Sequence, residues 1–135
     1  MQRSAETSLL PECERRGIAF LPFFPLYNGL LSGRYRPGEP PPPASRIGSK
    51  DAAAQARILS PRNMAILADL TLFAQARGHT VLELAFAWLL AHEAVPSVIA
   101  GVRTAEQVAA NVAASEWKLT DEEMREVSAL APLAA

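Results

Sequence analysis

Residues 9–24 read LLPECERRGIAFLPFF, a charged half followed by a continuous apolar half. Its first half predicts a short amphipathic helix over about residues 5–16, with one apolar and one charged side. Gly17 is the residue type that most often ends such a helix. The apolar run 18–24 follows without alternation, which is typical of a strand buried on both faces. Helix, glycine and buried strand together predict one step of a parallel α/β sheet.

A long irregular segment comes next, over about residues 25–50. It contains several Gly-containing turn pairs and four consecutive prolines, Pro40 to Pro43. A proline run favours an extended conformation without internal hydrogen bonds. Loops of this length in compact domains are usually functional or disordered. The sequence therefore predicts a long flexible loop here.

Capping signals predict four helices in the rest of the chain. Ser60 followed by Pro61 opens the first helix, and capping boxes open the other three. A short β-rich apolar run over residues 95–100 lies between the second and third of these helices and predicts a second strand. The four helices are expected at about 61–77, 80–92, 104–115 and 121–131. Two strands alone do not make a stable sheet, so the chain is expected to be part of something larger.

Composition excludes several classes of protein. Of 135 residues half are hydrophobic and a fifth are charged, which is globular rather than disordered composition. A formal net charge of −1 gives no basic field for nucleic acid, and no apolar stretch reaches the roughly 18 residues of a membrane helix. A single cysteine and two distant histidines argue against a disulfide and against a metal site. The sequence also begins without an apolar signal region, so we expect a cytoplasmic protein with no nucleic-acid or membrane partner.

Three passages, taken together, resemble the aldo-keto reductase family. The first runs from LLPECERRGI (9–18) to PLYNGLLSGRY (25–35), and the second is the helix LAFAWLL (84–90). The third is VIAGVRT (98–104) with Gln107 and Asn111, followed by LTDEE (119–123). The likeness covers almost the whole chain, in the family's order and spacing.

The resemblance implies a (β/α)8 barrel, which needs about 250 residues. This chain would supply the last two β/α units and the terminal helices, so the expected fold class is an incomplete C-terminal portion of an α/β barrel. The family reduces aldehydes and ketones by hydride transfer from NADPH. Its catalytic Asp, Tyr, Lys and His belong to earlier strands and loops, and the tyrosines and histidines of this chain lie in no matching motif. We therefore assign no catalytic residue.

The resemblance also implies a part of the cofactor site. Phe23 matches an aromatic residue that stacks on the nicotinamide, although a plain core phenylalanine is the alternative. Leu26, Asn28, Gly29 and Leu31 match a loop that folds over the pyrophosphate, for which small residues and free backbone N–H groups are suited. An ordinary Asn-Gly turn would explain the same residues. Phe24 stands where the family usually has a serine.

The second half of the implied site follows the second strand. Gly101 opens a turn, and the guanidinium of Arg103 would face the 2′-phosphate of NADPH. The helix that begins at Thr104 would point its N-terminal N–H groups the same way. Gln107 and Asn111 match adenosine contacts, but a capping box alone explains Thr104 with Gln107, and a solvated helix residue explains Asn111.

We thus expect the C-terminal segment of an NADP(H)-dependent reductase, whose partner in the complete enzyme is a small carbonyl substrate. The alternative is a non-catalytic remnant or truncated chain that acts as an interaction module. Exposed barrel faces and open strand edges would favour homo-oligomers in that case.

Overall fold

The computed structural model describes residues 1–133, and every element within that range is helical. Two 3₁₀ helices, Ser4–Thr7 and Tyr27–Ser32, flank the first α-helix. No helix of the described range is both long and apolar enough to cross a membrane. The α-helices are α1 (Leu9–Arg16), α2 (Ala52–Ile58), α3 (Pro61–Gln75), α4 (Val81–Leu90), α5 (Ala105–Ala113) and α6 (Asp121–Leu130).

Side chains at the helix ends explain where these helices begin. The Ser60 hydroxyl accepts from the Asn63 N–H, with Pro61 in the first turn of α3. Full capping boxes open α4 and α6, where the Thr80 and Thr120 hydroxyls accept from the backbone N–H groups three residues on, and the glutamates there accept in return. These local signals placed α3, α4 and α6 within a few residues of the predicted ranges.

One helix lies where the sequence analysis placed none. In α2 the Asp51 carboxylate accepts from the Ala54 N–H at 2.8 Å, and the alanine-rich sequence after it has high helix propensity. The predicted helix 5–16 is also divided, because a 3₁₀ turn over Ser4–Thr7 precedes α1. Gly17 ends α1 in the left-handed conformation that the sequence predicted, with φ of 65°.

The main core lies between α3, α4 and α6. Ile66, Leu70 and Phe73 of α3 are buried, as their helical spacing predicted. Val81 and Leu84 of α4 and Val127 of α6 meet them. Arg77 adds a polar link at the end of α3, since its guanidinium donates to Glu123 and Glu126 of α6 at 3.0 Å each.

The predicted flexible loop over residues 25–50 is largely part of this core. Leu30 and Ile47 have no exposed surface, and Tyr35 is buried beside them. The loop is irregular as expected, but these three side chains fix it to the core, and most of the residues between Tyr35 and Ile47 are exposed. Sequence periodicity could not show this, because the three residues share no helix or strand spacing.

Neither predicted strand is present in the described range. Residues 18–24 and 95–100 are in no strand, and one backbone hydrogen bond links the first segment to the residue before the second, from the Phe20 N–H to the Ala94 oxygen at 2.7 Å. The prediction of a strand buried on both faces is therefore wrong for this structure, in which Leu21 and Phe23 are exposed. Two isolated segments lack the neighbours that a sheet needs.

A second, smaller core holds these segments against α1. Leu10 and Cys13 of α1 are buried with Ala94 and Val95, and Leu89 of α4 packs against them. Cys13 is therefore a packed apolar side chain here. This cluster fixes the start of both segments while leaving their later residues exposed.

Arg3 joins the beginning of the chain to the end of α6. Its Nη1 donates to the Ser128 and Ala131 carbonyl oxygens at 3.0 and 2.8 Å. Its Nε and Nη2 bind the Glu6 carboxylate at 2.7 and 2.6 Å, and its guanidinium lies 4.8 Å from the Trp88 ring centre. The last carbonyl groups of a helix have no partners of their own, and a cation there also meets the negative end of the helix dipole.

We expect Ile47→Ala to lower the free energy of unfolding by about 2–5 kcal/mol, because it leaves a cavity in the core. Ile99→Ala is the matched control, since Ile99 is 66% exposed, and its effect should stay within about 0.5 kcal/mol. Urea unfolding followed by circular dichroism measures both. Equal effects of the two substitutions would contradict the placement of the loop in the core.

The capping box of α6 should make the free energy of unfolding depend on pH. The backbone N–H of Thr120, with its hydroxyl and Arg77, lowers the pKa of Glu123 below the usual 4.5, although burial opposes this. The stabilisation is thus present above that value and lost as the pH falls through the lowered pKa. We expect Glu123→Gln, which keeps a capping side chain, to reduce the loss between pH 6 and pH 3 by about 1 kcal/mol. Glu122→Gln, exposed in the same turn, is the control, and identical urea profiles for all three proteins would contradict this account.

Candidate cofactor site

A tight turn shapes the first half of the candidate site. Phe24, Tyr27, Asn28 and Gly29 all have positive φ, at 52°, 46°, 60° and 89°. Asparagine and glycine adopt this left-handed region readily, whereas Phe24 and Tyr27 are strained there. Strained backbone of this kind clusters at functional sites when the surrounding structure holds it in place. Here Leu30, completely buried just after the turn, anchors it to the core.

Phe23 and Phe24 form an exposed aromatic platform before this turn. Phe23 is 83% exposed and so is not a core side chain in this structure. Its ring centre lies 3.9 Å from that of Phe24, and the Arg46 guanidinium lies 4.5 Å from the Phe24 ring centre. The platform therefore offers one flat apolar face with a cation beside it.

The backbone of the predicted pyrophosphate loop is less free than the sequence suggested. The N–H groups of Gly29 and Leu31 both donate to the Leu26 carbonyl, at 2.9 and 3.2 Å. The Asn28 amide differs from them, because its buried Oδ1 has no hydrogen-bond partner among the described residues. That amide lines a cavity of ≈ 540 Å³, together with Phe23. An unpaired buried amide is costly, and a bound polar group would satisfy it.

The second half of the candidate site lies at the start of α5. The Thr104 hydroxyl accepts from the Gln107 N–H at 3.3 Å, as a cap should. The Gln107 Oε1 accepts from the Arg103 N–H at 2.8 Å, not from Thr104, so the predicted capping box is only half formed. Asn111 lies one turn further on and is half-buried, and Gly101 is exposed.

A loop contact connects the two halves. The exposed Arg103 guanidinium donates from Nη1 to the Ala44 carbonyl at 3.3 Å. Two residues later, Arg46 reaches Phe24 of the first half. Residues 44–46 thus touch both halves, although they lie in the segment that the sequence analysis treated as flexible. Arg46 was missed, because no local motif distinguishes it.

Gly48 allows two parts of this loop, around residues 42 and 48, to lie in close contact. A Cβ atom at Gly48 would come within 2.1 Å of the Pro42 carbonyl oxygen. The Ser45 N–H donates to that same oxygen at 2.8 Å, and the Ser45 hydroxyl accepts from the Gly48 N–H at 3.0 Å. Arg46 lies inside this compact turn, between Ser45 and Gly48, whose hydrogen bonds hold the turn together.

The electrostatics favour an anion at the guanidinium groups rather than at the helix end. Arg103 and Arg46 place two cations along the connecting loop. Glu106 already brings a negative charge to the first turn of α5, and the Thr104 hydroxyl and its own backbone N–H lower its pKa. A phosphate at the N-terminus of α5 would meet that carboxylate. The prediction that helix N–H groups assist phosphate binding is therefore weakened.

Of the remaining polar aromatic residues in the described range, Tyr27 and His92 line the same cavity as Phe23 and Asn28, whereas Tyr35 and His79 line a different one. Tyr35 is buried in the main core, and His79 stacks on Trp117 with ring centres 4.1 Å apart while bonding Glu83. The Nε2 of His92 is buried without a partner among the described residues, and burial lowers the pKa of His92. Within residues 1–133 no three His, Cys, Asp or Glu side chains are grouped as metal ligands would be.

Comparison with known proteins shows the family of this chain. The profile of the Aldo/keto reductase family matches residues 1–132. An L-glyceraldehyde 3-phosphate reductase of Escherichia coli is 36% identical over 110 residues, which are 81% of this chain and 32% of that protein. The chain thus spans about a third of the length of the curated relatives it matches.

Solved structures give the same result. A glycerol dehydrogenase from Gluconobacter oxydans superposes with a TM-score of 0.77 and 27% identity, over 96% of this chain and 38% of its own. An aldo-keto reductase from Klebsiella pneumoniae, solved in complex with NADPH, superposes with a TM-score of 0.62 and 26% identity, over 98% and 37%. The resemblance read from the sequence motifs is confirmed, and the chain belongs to the aldo/keto reductase family.

Proposed function

We propose that this chain is the cofactor-holding C-terminal segment of an NADP(H)-dependent reductase that acts on small carbonyl compounds. The observation that carries the proposal is the contact of residues 44–46 with both Arg103 and the Phe23–Phe24 platform. An extended dinucleotide needs an aromatic face at one end and a cation at the other, and this loop links two such groups. The NADPH complex of the Klebsiella relative supports the choice of ligand class.

Each end of the cofactor would be held by a different kind of contact. When bound, NADPH supplies a hydride to a carbonyl carbon. Phe23 would stack on the nicotinamide and keep water from that face, which its exposure allows. Arg103 would bind the 2′-phosphate, because a planar guanidinium matches phosphate geometry with two hydrogen bonds. Gly101 is exposed just before Arg103, and a Cβ atom there would meet nothing within 4 Å, so it would leave the approach to Arg103 open in either case.

The middle of the cofactor would depend on fewer groups than the family resemblance implies. The N–H groups of Gly29 and Leu31 already donate to Leu26, so they contribute shape rather than free donors. The unpaired Asn28 amide and the Arg46 guanidinium beside Phe24 are the polar groups that we expect to meet the pyrophosphate. Thr104 and Gln107 hold the start of α5 and the Arg103 backbone, and Asn111 completes the same face of the helix.

NADPH binding should depend strongly on Arg103. We expect Arg103→Ala to weaken NADPH binding at least tenfold while changing NADH binding less than twofold, because only NADPH carries the 2′-phosphate. Nicotinamide fluorescence on titration with each cofactor measures this. Arg125→Ala is the matched control, since Arg125 is an exposed arginine on α6 that bonds only the Asp121 carbonyl in the described range. Equal NADPH affinities for wild type and Arg103→Ala would contradict the role of Arg103.

Carbonyl reduction should require groups outside this chain. Within residues 1–133, no tyrosine or histidine is arranged with a lysine and a carboxylate as an acid catalyst would be. We expect the chain alone to oxidise no NADPH in the presence of glyceraldehyde beyond the buffer rate, measured by absorbance. Sustained turnover that Arg103→Ala abolishes would show instead that this chain contains its own acid.

A further inference from the structure

The cavity that Tyr35 and His79 line is a groove along α3, apart from the candidate cofactor site. Its volume is ≈ 550 Å³, and it lies between α3, residues 32–37 and the start of α4. Neither Phe23 nor Arg103 lines it. The residues that α3 contributes are three and four positions apart and therefore share one helix face: Met64, Leu67, Ala68, Thr71, Leu72 and Gln75. A ligand in this groove would lie along the helix.

The α3 wall of the groove is apolar from Met64 to Leu72. Leu72 is 64% exposed, Ala68 is exposed and Met64 is half-buried. The Thr71 hydroxyl between them is occupied, because it donates to the Leu67 carbonyl at 2.7 Å. From Met64 to Leu72 the helix rises about 12 Å, roughly the length of an extended chain of eight to ten carbons. This wall therefore suits a short alkyl chain.

The opposite wall brings no carboxylate into the groove. The Ser32 hydroxyl donates to the Gly29 carbonyl at 2.7 Å. The Thr80 hydroxyl donates to the Glu83 carboxylate at 2.7 Å, and the same carboxylate bonds the His79 ring at 3.1 Å. Glu83 is thus turned to these two residues, and no Asp or Glu of the described range lines the groove. An anion there would meet no like charge.

Arg36 supplies a cation with one free edge. Its Nη1 donates to the Gly33 and Tyr35 carbonyl oxygens at 2.8 and 3.2 Å, while its Nε and Nη2 have no partner within residues 1–133. Pro37 restricts the Arg36 backbone, and the burial of Tyr35 fixes the residue before it. The Nε–Nη2 edge of a guanidinium matches a carboxylate with two parallel hydrogen bonds. The guanidinium is therefore held in place with that edge open.

We propose that this groove binds an amphipathic carboxylate, namely the anion of a medium-chain fatty acid. The carboxylate would bind the free edge of Arg36, and the alkyl chain would lie along the α3 wall and cover Leu72. The charge complementarity supports this occupant, because the groove combines an unpaired cation with an apolar wall and no lining carboxylate. The inference does not depend on the cofactor proposal, so binding without NADPH tests it separately.

The experiment titrates the chain with octanoate in buffer without NADPH and follows binding by isothermal calorimetry. We expect one site with a dissociation constant below about 1 mM. Octanol, which has the same chain without the charge, should bind at least tenfold more weakly. Arg36→Gln should weaken octanoate binding at least tenfold and leave octanol binding unchanged. Leu72→Asn should weaken the binding of both compounds at least threefold, because it removes apolar contact.

Two exposed positions outside the groove provide matched controls. Arg34→Gln removes an equal charge two residues before Arg36, and Arg34 does not line the groove. Val112→Asn makes the same polar change as Leu72→Asn at a residue of α5 that is 61% exposed. Each control should change octanoate affinity less than twofold. All four substituted side chains are exposed, so urea unfolding should show the same midpoint within error for each variant and its control.

Three outcomes would overturn the proposal. One is the absence of saturable octanoate binding by the folded chain. Another is equal weakening by Arg36→Gln and Arg34→Gln, which would show attraction to surface charge alone. The third is octanoate binding that Arg103→Ala abolishes and Arg36→Gln leaves intact, which would place the anion in the candidate cofactor site.

Discussion

The packing of α4 holds the two halves of this structure together. Val81 and Leu84 at its first turns belong to the main core, and Leu89 near its end packs against the smaller cluster around Ala94. Burying side chains of this size stabilises by roughly 1.5–3 kcal/mol each, so one helix contributes to both cores. The segment that leads to Arg103 begins at Val95, after the short turn that follows α4. Any movement of α4 would therefore move Arg103, the residue predicted to bind a phosphate, relative to the Phe23–Phe24 platform.

Local chemistry explains which parts of the fold the sequence could predict. Ser60 with Pro61, and the capping boxes at Thr80 and Thr120, act within four residues, and the helices begin where they stand. The burial of Ile47 depends on contacts with distant residues, so no local pattern indicated it. The predicted strands failed for a related reason. A strand is defined by its partners, and within residues 1–133 the backbone of residues 18–24 makes one hydrogen bond to the region after α4, from Phe20 to Ala94.

The same distinction between local motifs and long-range contacts applies to the candidate site. Phe23 and Arg103 could be predicted because they lie in motifs of the family, and the structure leaves both side chains exposed. Arg46 could not, since only the fold of the loop brings it beside Phe24. The structure also gives some of these residues hydrogen-bond partners that the sequence analysis did not expect. Gln107 holds the backbone of Arg103 in place, and Leu26 occupies the N–H groups that the pyrophosphate was expected to use. The family motifs therefore indicate where the candidate residues lie in the sequence better than they indicate which hydrogen bonds these residues make.

The bonds of Arg3 to the end of α6 bear on how the chain folds during synthesis. The two bonds connect residues that are separated in the sequence by 125 and by 128 positions. They therefore form only after Ala131 has left the ribosome. Contacts of such long range slow folding, because the intervening chain must be ordered before they contribute. Until then the apolar faces of α3 and α4 lack Val127, their partner from α6. Until α6 is added, the nascent chain thus exposes apolar helix faces, which is the condition that favours aggregation during folding.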